Sequence, residues 1–155
     1  MQIAEAMHTL NQIGFTHRDL AARNCLIYSK TLKIKLSDTG AMNKSYKKEY
    51  FQETLPIRWM SFETIINGVC TTKSQVYSFG VTLWEIMKYC QMLPHQFLSD
   101  EELLNEIFNT ENIDDDYCPE EIYDLILECT QRSEESRPDF PEIIYFLQKK
   151  IQGHR

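Results

Sequence analysis

The amino-acid sequence predicts a mainly α domain that carries one small β-hairpin and one long exposed loop. Three observations predict it. Apolar residues recur at helical spacing through most of the chain. Two short apolar snippets, Cys25-Leu26-Ile27 and Ile34-Lys35-Leu36, flank a polar Ser29-Lys30-Thr31 turn and read as a hairpin. From Asp38 to Pro56 the chain is polar, rich in lysine and tyrosine, and aperiodic; a loop of that length inside a compact domain is commonly functional.

In order, residues 1 to 13 place Ile3, Ala4, Ala6, Met7 and Leu10 on a helical stripe that Gly14 ends. The hairpin and the long loop follow. Ser61 to Ile66 makes a short helix stopped at Asn67-Gly68. Thr72 to Tyr89 is apolar nearly all round and reads as the buried central helix. Ser99 opens another, with Glu102 three residues on as a capping box and Leu103, Leu104, Ile107 and Phe108 turned inward. Pro119 opens a fourth helix and Pro138 a fifth, each proline suited to a first helical turn.

At 155 residues the chain fits one domain with a real core. A net charge of -7 argues against a nucleic-acid-binding surface, although Lys44, Lys47 and Lys48 form a local basic patch. The five cysteines are scattered, odd in number and never in a C-x-x-C pair, which fits reduced thiols better than a disulfide framework or a zinc site. The longest apolar stretch, Phe79 to Met87, is short and broken by Glu85, so no segment reads as a membrane span or a signal peptide. Met1 opens directly into a helical pattern with no capping residue before it, which predicts a fragment or a truncated gene product.

The decisive string is His17-Arg18-Asp19-Leu20-Ala21-Ala22-Arg23-Asn24, followed at hairpin distance by Asp38-Thr39-Gly40. These resemble the catalytic loop and the magnesium-binding turn of protein kinases. The resemblance covers essentially the whole chain and implies a protein-kinase-like C-terminal lobe: a helical bundle with a small hairpin and a long activation loop. It sets residues 1–150 as that lobe, without its N-terminal partner lobe, and 151–155 as a tail. ATP and Mg2+ are the implied cofactors. Phosphoryl transfer needs positioning, metal ions and one acceptor for the hydroxyl proton. Asp19 is the implied acceptor, and Asn24 and Asp38 are hard oxygen ligands suited to magnesium. Leu26 matches the leucine that floors the adenine pocket, which a core leucine also explains.

Arg23 narrows the class: HRDLAARN resembles the receptor-type tyrosine kinase loop, in which this arginine assists substrate positioning, although a solvated surface arginine is the plain alternative. Leu55-Pro56-Ile57-Arg58-Trp59 resembles the floor that receives the substrate beside its tyrosine. Tyr46 and Tyr50 resemble the autophosphorylation tyrosines of insulin-receptor-like and discoidin-domain-receptor kinases, with Arg18 as the phosphate partner; two ordinary loop tyrosines are the other reading. Glu63 and Arg137 fall where the family has a buried structural ion pair. LPIRWMS, FGVTLWE, the Pro94 to Glu101 segment and Cys118-Pro119 resemble discoidin domain receptors in the same order. The implied setting is the cytoplasmic side of the plasma membrane within a receptor. Its implied partners are tyrosine-bearing protein substrates, an N-terminal lobe and a second receptor copy.

Four positions depart from the family. Thr39 replaces the phenylalanine of D-F-G, and Gln75 replaces an aspartate that holds the catalytic loop by accepting backbone N–H bonds. A neutral amide still accepts, but it loses charge assistance and brings an NH2 that needs a partner. Phe62 stands for the proline of A-P-E, and Thr130 for a tryptophan. Phe62 is discounted, since discoidin-type receptors also replace that proline; Thr39 and Gln75 leave a second expectation open, a pseudokinase acting as a non-catalytic binding module.

Overall fold

The computed structural model describes residues 1–37, 55–106 and 118–153. Helix α1 (Gln2–Gln12) leads through a loop into strands β1 (Cys25–Tyr28) and β2 (Lys33–Leu36). The strands pair antiparallel, with Cys25 opposite Leu36 and Tyr28 opposite Lys33. Five helices follow: α2 (Phe62–Asn67), α3 (Thr72–Met87), α4 (Asp100–Glu106), α5 (Glu120–Cys129) and α6 (Phe140–Gly153). The mainly α class with one small hairpin is the predicted one. Helix α6 runs on to Gly153, across the position where the sequence reading begins a tail.

The stop signals act as expected. Gly14 (φ +73°) and Gly68 (φ +68°) take the left-handed conformation that ends α1 and α2 without a Cβ penalty. At the start of α3 the Thr71 hydroxyl accepts the Ser74 N–H at 3.1 Å, while Ser74 Oγ accepts the Thr71 N–H at 3.2 Å. The Ser99–Glu102 box also forms, at 2.8 and 3.2 Å.

Helix α3 is the centre of the molecule. One core cluster joins Ile3 and Met7 of α1 to Phe79 of α3 and Phe140 of α6, and the Phe79 and Phe140 rings meet edge-on at 5.8 Å. Each ring is almost fully buried, worth about 1.5–3 kcal/mol per side chain. A second cluster gathers Ala21, Trp59, Val81, Trp84 and Ile126. Gly80 lets α5 approach closely: a Cβ there would lie 2.7 Å from Cys129 Cβ.

Some sequence expectations are corrected. Leu104 is 40% exposed, whereas Leu103 is buried; adjacent residues lie about 100° apart on a helix, so a seven-residue helix with a single contact stripe buries one of them. Ile107 and Phe108 lie outside the described residues. The central helix stops at Met87, and Tyr89 and Cys90 follow with φ of 55°, which is incompatible with its continuation. Pro119 is the N-cap of α5, and Pro138 precedes α6, whose first turn holds Pro141 instead.

Candidate functional site

The His17–Asn24 loop lies across one face of α3. Leu20 and Ala21 are buried in the core, which pins the middle of the loop by apolar contact. Three polar side chains of α3 then catch its backbone. The His17 N–H donates to Gln75 Oε1 at 2.9 Å, the Thr82 hydroxyl donates to the Leu20 carbonyl at 3.2 Å, and the Ala22 N–H donates to Glu85 Oε2 at 2.9 Å. Residues 75, 82 and 85 are seven and three apart, so they share one helical face. His17 braces the far side, with Nε2 bonded to the Ser37 carbonyl at 3.0 Å. A carbonyl can only accept, so Nε2 carries the hydrogen, which leaves Nδ1 of a neutral ring to accept the Asp19 N–H at 3.4 Å.

This frame delivers Asp19, which is 7% exposed. Arg23 Nη2 pairs with Asp19 Oδ1, one turn along the loop. Asn24 Nδ2 donates to the Asp19 carbonyl at 2.6 Å and to Asp19 Oδ2 at 2.9 Å. The tight turn Ala22–Asn24 makes both contacts reachable. Both Asn24 donor contacts therefore face Asp19, so its amide oxygen is the atom left to a cation. The Ser37 N–H donates to the Asn24 carbonyl at 2.9 Å, placing the residue before Asp38 against Asn24. Asp38 itself, with Thr39, Tyr46 and Tyr50, lies outside the described residues.

The residue types fit magnesium in kind: Asn24 offers an amide oxygen and Asp38 a carboxylate, both hard ligands. Among the described residues no group of three or more His, Cys, Asp or Glu side chains stands together for a metal ion.

The segment read from the sequence as a substrate floor is attached to the same frame. Its tight turn Ile57–Trp59 buries Trp59, whose Nε1–H donates to Glu85 Oε2 at 2.7 Å. Arg23 lies over the Trp59 ring at 4.2 Å, so it touches both the Asp19 carboxylate and the floor. Leu55 is exposed, and Pro56 and Ile57 are half-buried. Arg58 turns away into the Pro94–Asp100 segment, donating to the carbonyls of Pro94, His95 and Leu98 at 2.9, 2.8 and 2.7 Å and pairing with Asp100 at 2.7 Å. Burial and the Arg58 charge push the His95 imidazole below its ordinary range. Arg18, Leu55, Ile57 and Cys70 line a cavity of about 330 Å³ beside this floor.

Glu63 and Arg137 meet as a bidentate pair at 2.6 and 3.0 Å. The Arg137 side chain is fully buried and also donates to the carbonyls of Gln131, Lys73 and Arg132. Burial alone would raise the Glu63 carboxyl, but hydrogen bonding from Arg137 and from hydroxyl and backbone donors brings it down to about 2.

The structure thus brings Asp19, Arg23, Asn24 and Trp59 together, holds Glu63 on Arg137, and leaves Leu26 55% exposed on β1. Sequence reasoning missed Glu85 and Thr82 as anchors. A carboxylate inside the most apolar helix was the available signal, because a buried charge requires a partner.

Comparison with known proteins places these residues in a family setting. Residues 1–147 match the family described as protein tyrosine and serine/threonine kinase. The tyrosine-protein kinase transmembrane receptor Ror of Drosophila melanogaster is 39% identical over 99% of this chain and 23% of its own length. The epithelial discoidin domain-containing receptor 1 of Homo sapiens is 39% identical over 94% of this chain and 17% of its own. The insulin-like growth factor 1 receptor of Bos taurus is 38% identical, covering 98% and 24%. The chain spans about a quarter or less of these relatives.

Proposed function

The chain belongs to the protein tyrosine and serine/threonine kinase family, and on that premise we propose that it forms the C-terminal lobe of an ATP- and magnesium-dependent protein tyrosine kinase. The observation that carries the reading is the Asp19 carboxylate held between Arg23 and Asn24, with Trp59 bound to the same helix that anchors its loop. Asp19 is the acceptor for the tyrosine hydroxyl proton as that oxygen takes the γ-phosphoryl group of ATP. Arg23 and Asn24 hold the carboxylate in place. Asn24 and Asp38 would hold magnesium, which would supply charge neutralisation at the transferring phosphates. Leu55, Pro56, Ile57 and Trp59 form the wall along which the substrate chain lies, leaving the depth a tyrosine ring needs. Exposed Leu26 fits contact with adenine.

The same reading puts the parent protein in a transmembrane receptor, with this lobe on the cytoplasmic side and a second receptor copy as partner. Among the described residues no helix is long and apolar enough to cross a membrane. The chain contains no glycine-rich phosphate loop, so a matching N-terminal lobe is the further partner that ATP binding needs.

The test joins this chain to such a lobe and offers peptides that differ only in their acceptor. Phosphate on the tyrosine peptide alone supports the assignment; equal transfer to serine contradicts it. A non-catalytic binding module is the second reading, favoured by the neutral Gln75 at the loop anchor. A thermal shift with ATP and magnesium separates the two, since strong binding with transfer excludes it.

A further inference from the structure

The geometry points to Asn11 of α1 as a positioning residue for the catalytic loop, acting through Gln75 in a neutral amide relay of fixed polarity. The direction of the relay follows from its inner end. The His17 backbone N–H can only donate, so the Gln75 atom facing it at 2.9 Å is the oxygen. Gln75 Nε2 then faces the other way. It donates to Asn11 Oδ1 at 3.0 Å, with a longer contact to the Thr71 carbonyl at 3.4 Å. Gln75 is 1% exposed, so it has no water to turn to and cannot flip without setting two donors against each other.

Asn11 inherits that constraint. Its oxygen must face Gln75, and its own Nδ2 is left buried with no hydrogen-bond partner among the described residues. A buried donor without a partner is costly, and it persists here because the opposite rotamer would unpair Gln75 as well. The orphan is therefore the mark of the relay: α1 tolerates one unmade bond so that the residue two ahead of Asp19 is held by a fully oriented amide.

The wiring predicts a reversal of sign. With glutamine at position 75, an aspartate at 11 keeps the required acceptor and adds charge assistance to the Gln75 bond, while its second oxygen takes the partnerless place of Nδ2. With glutamate at 75, the side chain there becomes acceptor-only, and asparagine at 11 rotates to offer the very Nδ2 that is now unused. Asparagine then suits the site and aspartate opposes it.

The inference rests on the kinase reading only for the word catalytic; the coupling itself is measured without nucleotide or activity. The experiment is amide hydrogen exchange at His17 on the full chain at pH 8, with the amides of Val76 and Phe79 in α3 as internal references. Asn11→Leu is expected to speed His17 exchange about tenfold while the references stay fixed, the loss of one buried hydrogen bond. Asn11→Asp is expected to slow it. In a Gln75→Glu background Asn11→Asp is expected to speed it instead. If Asn11→Leu does not fold, the two aspartate comparisons decide alone. The same sign in both backgrounds, or His17 moving in step with Val76 and Phe79 in every variant, overturns the proposal.

Discussion

Trp59 and Glu85 are joined by a 2.7 Å bond from the indole N–H to Oε2, and that same oxygen accepts the Ala22 N–H at 2.9 Å. One carboxylate atom of α3 therefore fixes the distance between the loop that carries Asp19 and the Ile57–Trp59 turn. Arg23 closes the triangle by lying over the Trp59 ring.

Removing that atom should loosen both elements at once. Glu85→Ala deletes two charge-assisted bonds at a 7% exposed site, an expected loss of about 2–4 kcal/mol. Urea unfolding followed by tryptophan fluorescence measures it, and Glu85→Gln should lose less because one acceptor oxygen remains.

The Glu63–Arg137 pair gives a pH signature. The folded carboxyl is held at about 2, below its ordinary 4.5, so the unfolded chain binds the proton more readily. Its stabilisation is complete above about 4.5 and fades as pH falls toward about 2. In Glu63→Gln that increment of acid sensitivity should be missing from an unfolding series. An unchanged acid slope would remove Glu63 from the account.

Arg137→Ala should be more damaging than any surface substitution. It strands the Glu63 charge and unpairs carbonyls of Gln131, Lys73 and Arg132, an expected cost of about 3–5 kcal/mol. Arg137→Lys should recover only part of it, because an ammonium cannot reproduce the bidentate fork. Thermal unfolding of both variants is the check.

Gly80→Ala tests the contact between α3 and α5. Alanine is the better helix former by about 1 kcal/mol, yet the new Cβ would meet Cys129 Cβ at 2.7 Å and Thr130 Cγ2 at 2.9 Å. Neither atom is the free end of a flexible chain, so the helices must part. A net loss of about 1–3 kcal/mol is expected in calorimetry.

What the sequence made legible was the part governed by short-range chemistry. Gly14 and Gly68 announced their helix ends through left-handed backbone, Ser99 and Glu102 announced a cap by their spacing, and the string from His17 to Asn24 announced the family. Long-range pairings were less legible. Glu85 looked like a break in an apolar run until Trp59 and Ala22 supplied its partners from far along the chain. Arg58, read as substrate floor, turns its guanidinium onto four oxygens of the 94–100 segment, which periodicity cannot reveal. Gln75 was legible as a departure, but its partner Asn11 was not, since an asparagine near a helix end has many local explanations.

The most direct test of the central claim is phosphotransfer by this chain joined to an N-terminal lobe, compared with its Asp19→Asn counterpart under saturating ATP and magnesium. Asparagine keeps the shape of the side chain and cannot take the hydroxyl proton. The account predicts a drop in kcat of about 10²–10⁴-fold with substrate binding nearly unchanged. Equal turnover by the two proteins would contradict it.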